Sequence, residues 1–372
     1  MLFAKDKFIG MGDTVHLACG GQPPLLKEHR QAFEDFAVDK SRGIVGYERH
    51  WEVGREVKSL LAGMTKLEAD DFALIGNASE GIARVVSSFD WKQGDNTVVS
   101  SLDYTSGKFS LARLQQAGVE FRPVQPTGYF IDIDALISAC DERTRLVYIS
   151  QVNAHTGQQV NIESLSKALR QRGIALLVEA SHALGVVPVD GRHCDFLVSS
   201  TYKFLLAPHM GIFAWNQRSF PDFEPLAVGW HSTVQGANPE SFDLVSAGRR
   251  CEIGNSNHLD VYLLLASLRF LSTVSATSLN RHVARLSETL YSGLQVSGLE
   301  ILTPENPGQR GPNISFLHPD PRHFVDQAGR ENILLWGEAG RVRASLHGFV
   351  TKADVQIFLE WVSANIGRLQ VS

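Results

Sequence analysis

The chain of 372 residues is long enough to bury one large core together with a smaller second domain. Hydrophobic residues make up 44% and charged residues 20% of it, which is ordinary for a globular, water-soluble protein. A net charge of −5 gives no electrostatic basis for binding nucleic acid or an anionic membrane. The cysteines, Cys19, Cys140, Cys194 and Cys251, lack metal-ligand spacing, which disfavours a zinc site and indicates a reducing compartment.

The N-terminal stretch "MLFAKDKFIGMGDT" interrupts its apolar residues with charges, so we expect no signal peptide. The longest apolar runs are far shorter than the roughly 20 residues that a membrane span needs. These features predict a cytoplasmic protein without a membrane partner.

From about residue 70, short apolar runs alternate with amphipathic stretches. Continuous apolar, β-branched runs joined through helical periods predict an α/β fold with a mainly parallel sheet covered by helices on both faces. The predicted strands are "FALIG" (72–76), "NTVVSS" (96–101), "RLVYIS" (145–150), "IALLVEA" (174–180) and "CDFLVSS" (194–200).

The pattern changes near residues 225–260, where a stretch rich in Gly and Asn precedes the long helical pattern "LDVYLLLASLRFLSTV". From about residue 298 the sequence indicates short strands and two helices, typical of a small α+β domain. We therefore predict an N-terminal arm (1–20), a large α/β domain (21–260), and a long helix with a small C-terminal domain (261–372).

In parallel sheets, ligands bind beyond the carboxyl ends of the strands. Lys203 follows the last predicted strand in "VSSTYKFLLAPHMG", an unusual place for a lysine. Either its ammonium group reaches water, or the fold holds an amine in a dry place. Glu179 ends the preceding strand, and "NASEG" (77–81) offers free backbone amides at a helix start, which suit a phosphate. A lysine, a carboxylate and a phosphate site are the parts that pyridoxal 5′-phosphate requires.

Seven motifs, in order, resemble those of the class V aminotransferases, which are fold-type I pyridoxal phosphate enzymes and include cysteine desulfurases, kynureninase and isopenicillin N epimerase. The resemblance covers roughly residues 15 to 365. The motifs are "NASEGIARV", "GDNTVVSSLDY", "TGQQVNIESL", "VEASHALGVVPVD", "SSTYKFLLAPHMGIF", "RRCEIGNSN" and "GRVRASLHGFVTKADV".

This resemblance implies roles around the cofactor ring. Lys203 would bind the cofactor as an imine and move the Cα proton, and Glu179 would pair with the pyridine nitrogen. Tyr104 would stack on the ring, unless it serves only core packing, and His182 would lie beneath the ring near its phenolic oxygen. The family's asparagine near that oxygen aligns with Ala154, and Asn153, one position earlier, is the substitute that we assign.

The resemblance also implies a phosphate site, a carboxylate site and a homodimer. Arg343 would bind the substrate α-carboxylate as a bidentate pair, with Arg341 as the competing candidate. Asn255 or Ser256 would reach the phosphate of a neighbouring subunit, and Asn255 replaces the family's usual threonine. Within one subunit the phosphate would be held by Ala78, Ser79, Ser200 and Tyr202.

Two departures bear on the reaction. The nitrogen partner is usually Asp, so the longer Glu179 must fold back or the ring must shift; Glu179 could also merely lie near the site. No cysteine occurs in "GRENILLWGEAGRVRAS", where desulfurases carry the cysteine that accepts sulfur, so a desulfurase working through an enzyme persulfide is disfavoured.

The expected substrate is an amino acid or oxo acid, and the leading prediction is an aminotransferase. A lyase that eliminates a β or γ group, or an epimerase with Tyr104 or His182 as the second acid, remains an alternative. A non-catalytic descendant of the fold is the alternative of another class, and the retention of Lys203, Glu179 and Arg343 argues against it.

Overall fold

The structure is a computed structural model that describes residues 1–234 and 238–369. Three groups of strands occur in the described residues: a pair, a three-stranded sheet and a seven-stranded sheet. In chain order the strands are β1 Val15–His16, β2 Phe72–Ile75, β3 Asn96–Ser100, β4 Glu120–Val124, β5 Thr144–Ser150, β6 Ala175–Glu179, β7 Phe196–Ser200, β8 Gly211–Trp215, β9 Asn313–Leu317, β10 Ile333–Leu334, β11 Trp336–Glu338 and β12 Arg341–Ser345.

The α-helices lie mostly between these strands. They are α1 Glu28–Lys40, α2 Gly43–Thr65, α3 Ala78–Ser88, α4 Thr105–Ala112, α5 Ile133–Ser138, α6 Ile162–Arg170, α7 His258–Leu271, α8 Ala276–Val296, α9 Pro321–Arg330 and α10 Lys352–Leu369. Among the described helices, none alone is long and apolar enough to cross a membrane; α7 and α8 pass that test only as a pair, bent by 78°.

The large sheet has the strand order β2-β8-β7-β6-β5-β3-β4. The strands from β7 through β6, β5 and β3 to β4 pair in parallel, whereas β8 pairs antiparallel with both β7 and β2. Every residue of β6 and β7 is buried, as expected for strands covered by helices on both faces. The predicted mainly parallel α/β fold is therefore confirmed, and the carboxyl ends of β2, β3, β5, β6 and β7 meet at one edge.

The small sheet has the order β11-β12-β9, and its strands pair antiparallel. Its two faces differ in chemistry because strand residues alternate in direction. One face contributes Ile314, Phe316, Val342 and Ala344 to the hydrophobic core. The other face is polar and is described with the site.

The N-terminal residues lie against the C-terminal part of the chain. Strand β1 pairs in parallel with β10, and Ala18 forms a bridge with Ser345 at the end of β12. The predicted domain boundary at residue 260 falls in the first turn of α7, the helix whose apolar pattern marked it in the sequence. The boundaries at 20 and 260 remain predictions.

Candidate active site

Lys203 lies three residues beyond β7, and its side chain is buried. Its Nζ atom lies 5.5 Å from the ring centre of Tyr104 and 5.5 Å from that of Tyr202. Burial lowers the pKa of the Lys203 ammonium; the charge of Glu179 opposes this shift and that of Arg343 adds to it. Only 8% of the Lys203 surface is exposed, so the side chain does not extend into solvent. The fold holds an amine in a dry place, which favours the neutral, nucleophilic form.

Two acidic side chains lie at the carboxyl ends of the two strands that flank β5: Glu179 ends β6, and Asp103 follows β3. The Oε1 atom of Glu179 accepts the backbone N–H of Ser181 at 3.0 Å. The Oδ1 atom of Asp103 accepts the N–H of Ser150 at 2.9 Å, and its Oδ2 atom is buried without a described partner. Burial raises the pKa of Asp103 to about 7, even though its bonds with Ser150 act the other way. Asp103 can thus hold a proton near neutral pH.

His182 follows β6 and is fully enclosed. Asn313 Nδ2 donates to His182 Nδ1 at 2.9 Å, which assigns the proton of the neutral ring to Nε2. Burial, followed by the charges of Lys203 and Arg343, lowers the pKa of His182 well below its usual value. His182 is therefore neutral at physiological pH, and its bond to Asn313 links the large sheet to the small one.

The phosphate site is predicted at the start of α3. Asn77 caps this helix by accepting the N–H of Glu80 at 2.9 Å, which leaves the amides of Ala78 and Ser79 at the positive end of the helix. The hydroxyls of Ser79 and Ser106 lie 2.8 Å apart. Gly211 at the start of β8 permits this approach, since a Cβ atom there would lie 2.4 Å from the carbonyl carbon of Asn77.

The other hydroxyls predicted to bind phosphate lie at the end of β7, on Ser200, and just after it, on Tyr202. Ser200 is buried, and its Oγ accepts the hydroxyl of Ser181 at 3.2 Å. The ring of Tyr202 stacks on His209 with 4.1 Å between ring centres. Ser200 lies three residues before Lys203 in the sequence, and Tyr202 lies directly before it.

Asn153 is fully buried, and its amide group bonds to the protein itself. Its Nδ2 atom donates to the carbonyl of Leu102 at 3.0 Å, while its Oδ1 atom accepts the N–H groups of His155 and Thr156 at 2.9 and 3.0 Å. These bonds shape the loop after β5. The predicted contact of Asn153 with the cofactor stays a prediction.

Arg343 lies on β12, and its side chain is buried at the polar face of the small sheet. Its Nη1 atom donates to the carbonyl of Ala154 at 3.0 Å, and its Nε atom has no described partner. Burial lowers the pKa of Arg343 to about 9, and the neighbouring charge of Arg341 contributes. The indole of Trp336 lies 5.9 Å from the guanidinium carbon. A buried cation with a free donor suits a substrate carboxylate.

Asn255 and Ser256 lie in the loop before α7. Asn255 Oδ1 accepts the hydroxyl of Tyr47 at 3.0 Å, and Ser256 Oγ donates to the carbonyl of Leu74 at 3.2 Å. Both residues line a cavity shared with Gly76, next to the α3 cap. Their predicted reach to a second subunit is not tested by this single chain.

The structure adds residues that the sequence did not single out. Asp103 is among the strand-end residues 103–106 that the sheet rule selects from the sequence, but no motif assigned it a role. Asn313 orients His182, but a small polar residue on a short strand carries no sequence signal. Gly20 lies against Arg343, where a Cβ atom would be 3.2 Å from Nη2; the paired glycines of "ACGGQ" were the available signal.

The donor set fits pyridoxal phosphate. A buried amine without a described hydrogen-bond partner, a carboxylate behind it and a helix start with free amides surround the same edge of the sheet. Tyr104, which is 42% exposed, provides an aromatic face beside the amine. The neutral ring of His182 and the cationic guanidinium of Arg343 complete the surroundings.

The chain is similar to known proteins over most of its length. A family model described as Aminotransferase class-V matches residues 47–358. A probable cysteine desulfurase of Methanothermobacter thermautotrophicus is 24% identical over 360 residues, covering 91% of this chain and 90% of that protein. An isopenicillin N epimerase of Streptomyces clavuligerus is 26% identical over 338 residues, covering 85% and 84%.

Solved structures show the same fold. The apo cysteine desulfurase from Thermococcus onnurineus superposes with a TM-score of 0.89 at 19% identity, over 98% of each chain. The cystine C–S lyase C-DES in complex with cysteine persulfide gives 0.88 at 20% identity, over 96% of this chain and 99% of that one. The family match spans most of the chain and confirms the family and cofactor predicted from its motifs. This chain belongs to the class-V aminotransferase family of pyridoxal phosphate-dependent enzymes.

Proposed function

We propose that this protein transfers the amino group of an amino acid to an oxo acid, using pyridoxal 5′-phosphate. The observation that carries the proposal is the buried amine of Lys203, whose pKa is lowered and on which the charges of Glu179 and of the buried Arg343 both act. This arrangement provides a base at Cα and an anchor for the α-carboxylate. Both requirements are common to amino-group transfer.

Arg343, Lys203 and Glu179 each have a separate role in the proposed reaction. When bound, the cofactor supplies an aldehyde for the substrate amine and a ring that delocalises the charge left at Cα. Arg343 orients the α-carboxylate by charge-assisted hydrogen bonds. Lys203 accepts and returns the Cα proton at Nζ, and Glu179 holds the proton of the pyridine nitrogen.

The thiols argue against an enzyme persulfide. Cys19, Cys140, Cys194 and Cys251 are all buried, and burial raises the pKa of each thiol, for Cys251 to about 12. Buried, protonated thiols are poor nucleophiles. No cysteine follows Cys251 in the sequence. Sulfur transfer through an enzyme cysteine is therefore not the function we propose.

Elimination at a C–S bond is the second candidate. Its support is the similarity over nearly the whole chain to a probable cysteine desulfurase and the shared fold of a cystine C–S lyase. Elimination uses the same base and carboxylate anchor and can release sulfur without an enzyme thiol. Epimerisation is a third outcome of the same site, with Tyr104 beside the amine as the second acid.

Cofactor attachment is tested by reconstitution and absorbance. We expect wild-type protein to acquire a visible band that borohydride abolishes, whereas Lys203→Ala loses that band. Lys167→Ala removes an exposed lysine and serves as the control. A band of equal strength in Lys203→Ala would falsify the assignment.

The reaction is tested with a panel of amino acids and oxo acids. We expect new amino acid to form in equal amount to the oxo acid product, without sulfide. Release of sulfide or of ammonia with pyruvate would assign elimination instead. Inversion at Cα without either product would assign epimerisation.

A further inference from the structure

Two arginines share the polar face of the small sheet. Arg341 and Arg343 are separated by one residue on β12, so their side chains leave the strand on the same side. Both are buried, with only 6% and 4% of their surfaces exposed. Alternate strand positions lie about 7 Å apart, a spacing comparable with the length of a short dicarboxylic acid.

This face holds an unusual set of unsatisfied polar atoms. Buried polar groups normally have hydrogen-bond partners, and those without one need a reason. Five side chains on neighbouring positions of β9 and β12 have a buried polar atom without a described partner. The atoms are Asn313 Oδ1, Ser315 Oγ, Arg341 Nε, Arg343 Nε and Ser345 Oγ. The opposite face is apolar, so these unpartnered polar atoms are concentrated on the face that carries the two arginines.

The charges on this face are not balanced by the protein. Among the described residues, each guanidinium donates to a backbone carbonyl, Arg341 to Glu338 at 3.2 Å and Arg343 to Ala154 at 3.0 Å, and neither forms an ion pair. Glu338 lies opposite Arg341 in the register of β11 and β12. Its carboxylate, however, accepts the indole N–H of Trp336 at 3.3 Å. One substrate α-carboxylate supplies a partner for only one of the two cations.

The charge of Glu338 acts on both arginines, but it forms no ion pair with either among the described residues and is one negative charge against two positive ones. Burial, followed by the charges of Arg341 and Lys108, lowers the pKa of His155 to about 4, so this neighbour is neutral. The ammonium of Lys108 donates to the carbonyl of Ser101 at 2.8 Å. The region around Arg341 is thus positive overall.

We propose that Arg341 binds a second carboxylate, on the substrate side chain, and that the substrates are dicarboxylic amino acids and oxo acids. This inference rests on the proposed function, in which Arg343 binds the α-carboxylate. A second carboxylate two or three carbons beyond Cα would satisfy Arg341 Nε and neutralise the remaining cation. Substrates with neutral side chains leave that guanidinium buried and unpaired.

The test is calorimetric titration of the cofactor-loaded protein with the unreactive acids glutarate and butyrate. We expect wild type to bind glutarate at least about ten-fold more tightly than butyrate, about 1.4 kcal/mol. Arg341→Met should remove this preference and leave butyrate binding unchanged, whereas Arg343→Met should weaken both. Arg330→Met, an exposed arginine of α9, should behave as wild type.

A conservative variant separates recognition from folding. Arg341→Lys keeps the charge without the planar fork and should retain part of the preference. Equal binding of the two acids by wild type, or an unchanged preference in Arg341→Met, would overturn the inference. The proposed function fails separately, through the loss of the Lys203-dependent absorbance or of amino-group transfer.

Discussion

At the scale of single residues, the conformation of Glu179 bears on how this chain differs from the aspartate expected from its family resemblance. Its Oε1 atom accepts the N–H of Ser181, two residues farther along the chain, at 3.0 Å. This bond turns the longer side chain back toward its own backbone. Folding back is one of the two accommodations expected for the additional methylene group.

We expect Glu179→Gln to lower kcat by about a hundred-fold or more, because a neutral amide stabilises a protonated ring nitrogen poorly. The amide oxygen can still accept from Ser181, so folding and cofactor affinity should persist. Steady-state kinetics and an absorbance titration measure the two effects. Full turnover in the variant would show that the reaction does not depend on this carboxylate.

Asp103 gives a prediction about pH. Burial raises the pKa of its carboxyl from 3.8 to about 7, so the folded chain keeps a proton that the unfolded chain loses. The unfolded state binds fewer protons in this window, and the free energy of unfolding therefore falls as pH rises from about 4 to 7. Asp103→Asn should flatten this fall, by an amount on the order of 1 kcal/mol or more.

Urea unfolding of the apoprotein at pH 5 and pH 8 measures this effect. Asp326→Asn, at an exposed position on α9, is the matched control and should keep the wild-type slope. If the free energy of unfolding falls equally from pH 5 to pH 8 in Asp103→Asn and in wild type, Asp103 is not protonated in the folded protein.

Residue types alone did not reveal every role. Lys203, Glu179 and Arg343 were predictable because each follows or occupies a strand in a recognisable motif. The bonds of Asn153 to its own loop were not predictable, because an asparagine beside a glycine turn can face either a ligand or the backbone. Asn313 was missed because its role depends on a partner on a different sheet.

At the scale of elements, the loop before α1 closes the carboxylate site. A Cβ atom on Gly20 would lie 2.7 Å from Ser345 Oγ and 3.0 Å from Asn313 Oδ1. We expect Gly20→Ala to cost about 1–3 kcal/mol of unfolding free energy, as overpacking does. It should also weaken carboxylate binding, because Arg343 Nη2 lies in the same contact.

Gly63→Ala is the control for this prediction. Gly63 is exposed in the interior of α2, and a Cβ atom there would have no neighbouring atom within 4 Å. This substitution should stabilise the protein by roughly 0.5–1 kcal/mol and leave binding unchanged. Thermal unfolding measures the stability of the two variants, and calorimetry measures their carboxylate binding. If Gly20→Ala and Gly63→Ala change both properties equally, Gly20 does not lie in close contact with the side chains around Arg343.

Strands β2, β3, β5, β6 and β7 were predicted because continuous apolar runs mark them. Strands β4, whose residues are exposed or half-buried, and β8 were not predicted. The antiparallel direction of β8 was not predictable, since a single apolar run carries no direction. The pairing of β1 with β10 joins two strands of two residues each, too short for any sequence pattern to reveal.

At the scale of the whole molecule, the family resemblance predicts a dimer. Large apolar side chains are exposed on the start of α2 and in the segments between β8 and α7. They include Ile44 (68%), Val45 (53%), Leu226 (72%), Trp230 (58%) and Ile253 (42%). The bond between Tyr47 and Asn255 joins two of these segments, which places them on one surface that a second subunit could cover.

We expect the cofactor-loaded protein to be a dimer, and the double variant Asn255→Ala, Ser256→Ala to bind the cofactor and associate more weakly. Light scattering and an absorbance titration measure both properties. A control double variant, Ser164→Ala, Gln171→Ala, changes exposed polar residues of and after α6. A monomer at micromolar concentration, with unchanged cofactor affinity in the first variant, would exclude a shared site.

The bridge between Ala18 and Ser345 has a consequence for biosynthesis. A chain emerges from the ribosome with its N-terminal part first. The carboxylate site needs Gly20 from one end and Arg343 from the other, and closing so long a loop is slow. The large sheet can therefore form and bring Lys203 to the cofactor before the proposed carboxylate site around Arg343 is complete. The protein would then bind its cofactor before it can bind its substrate.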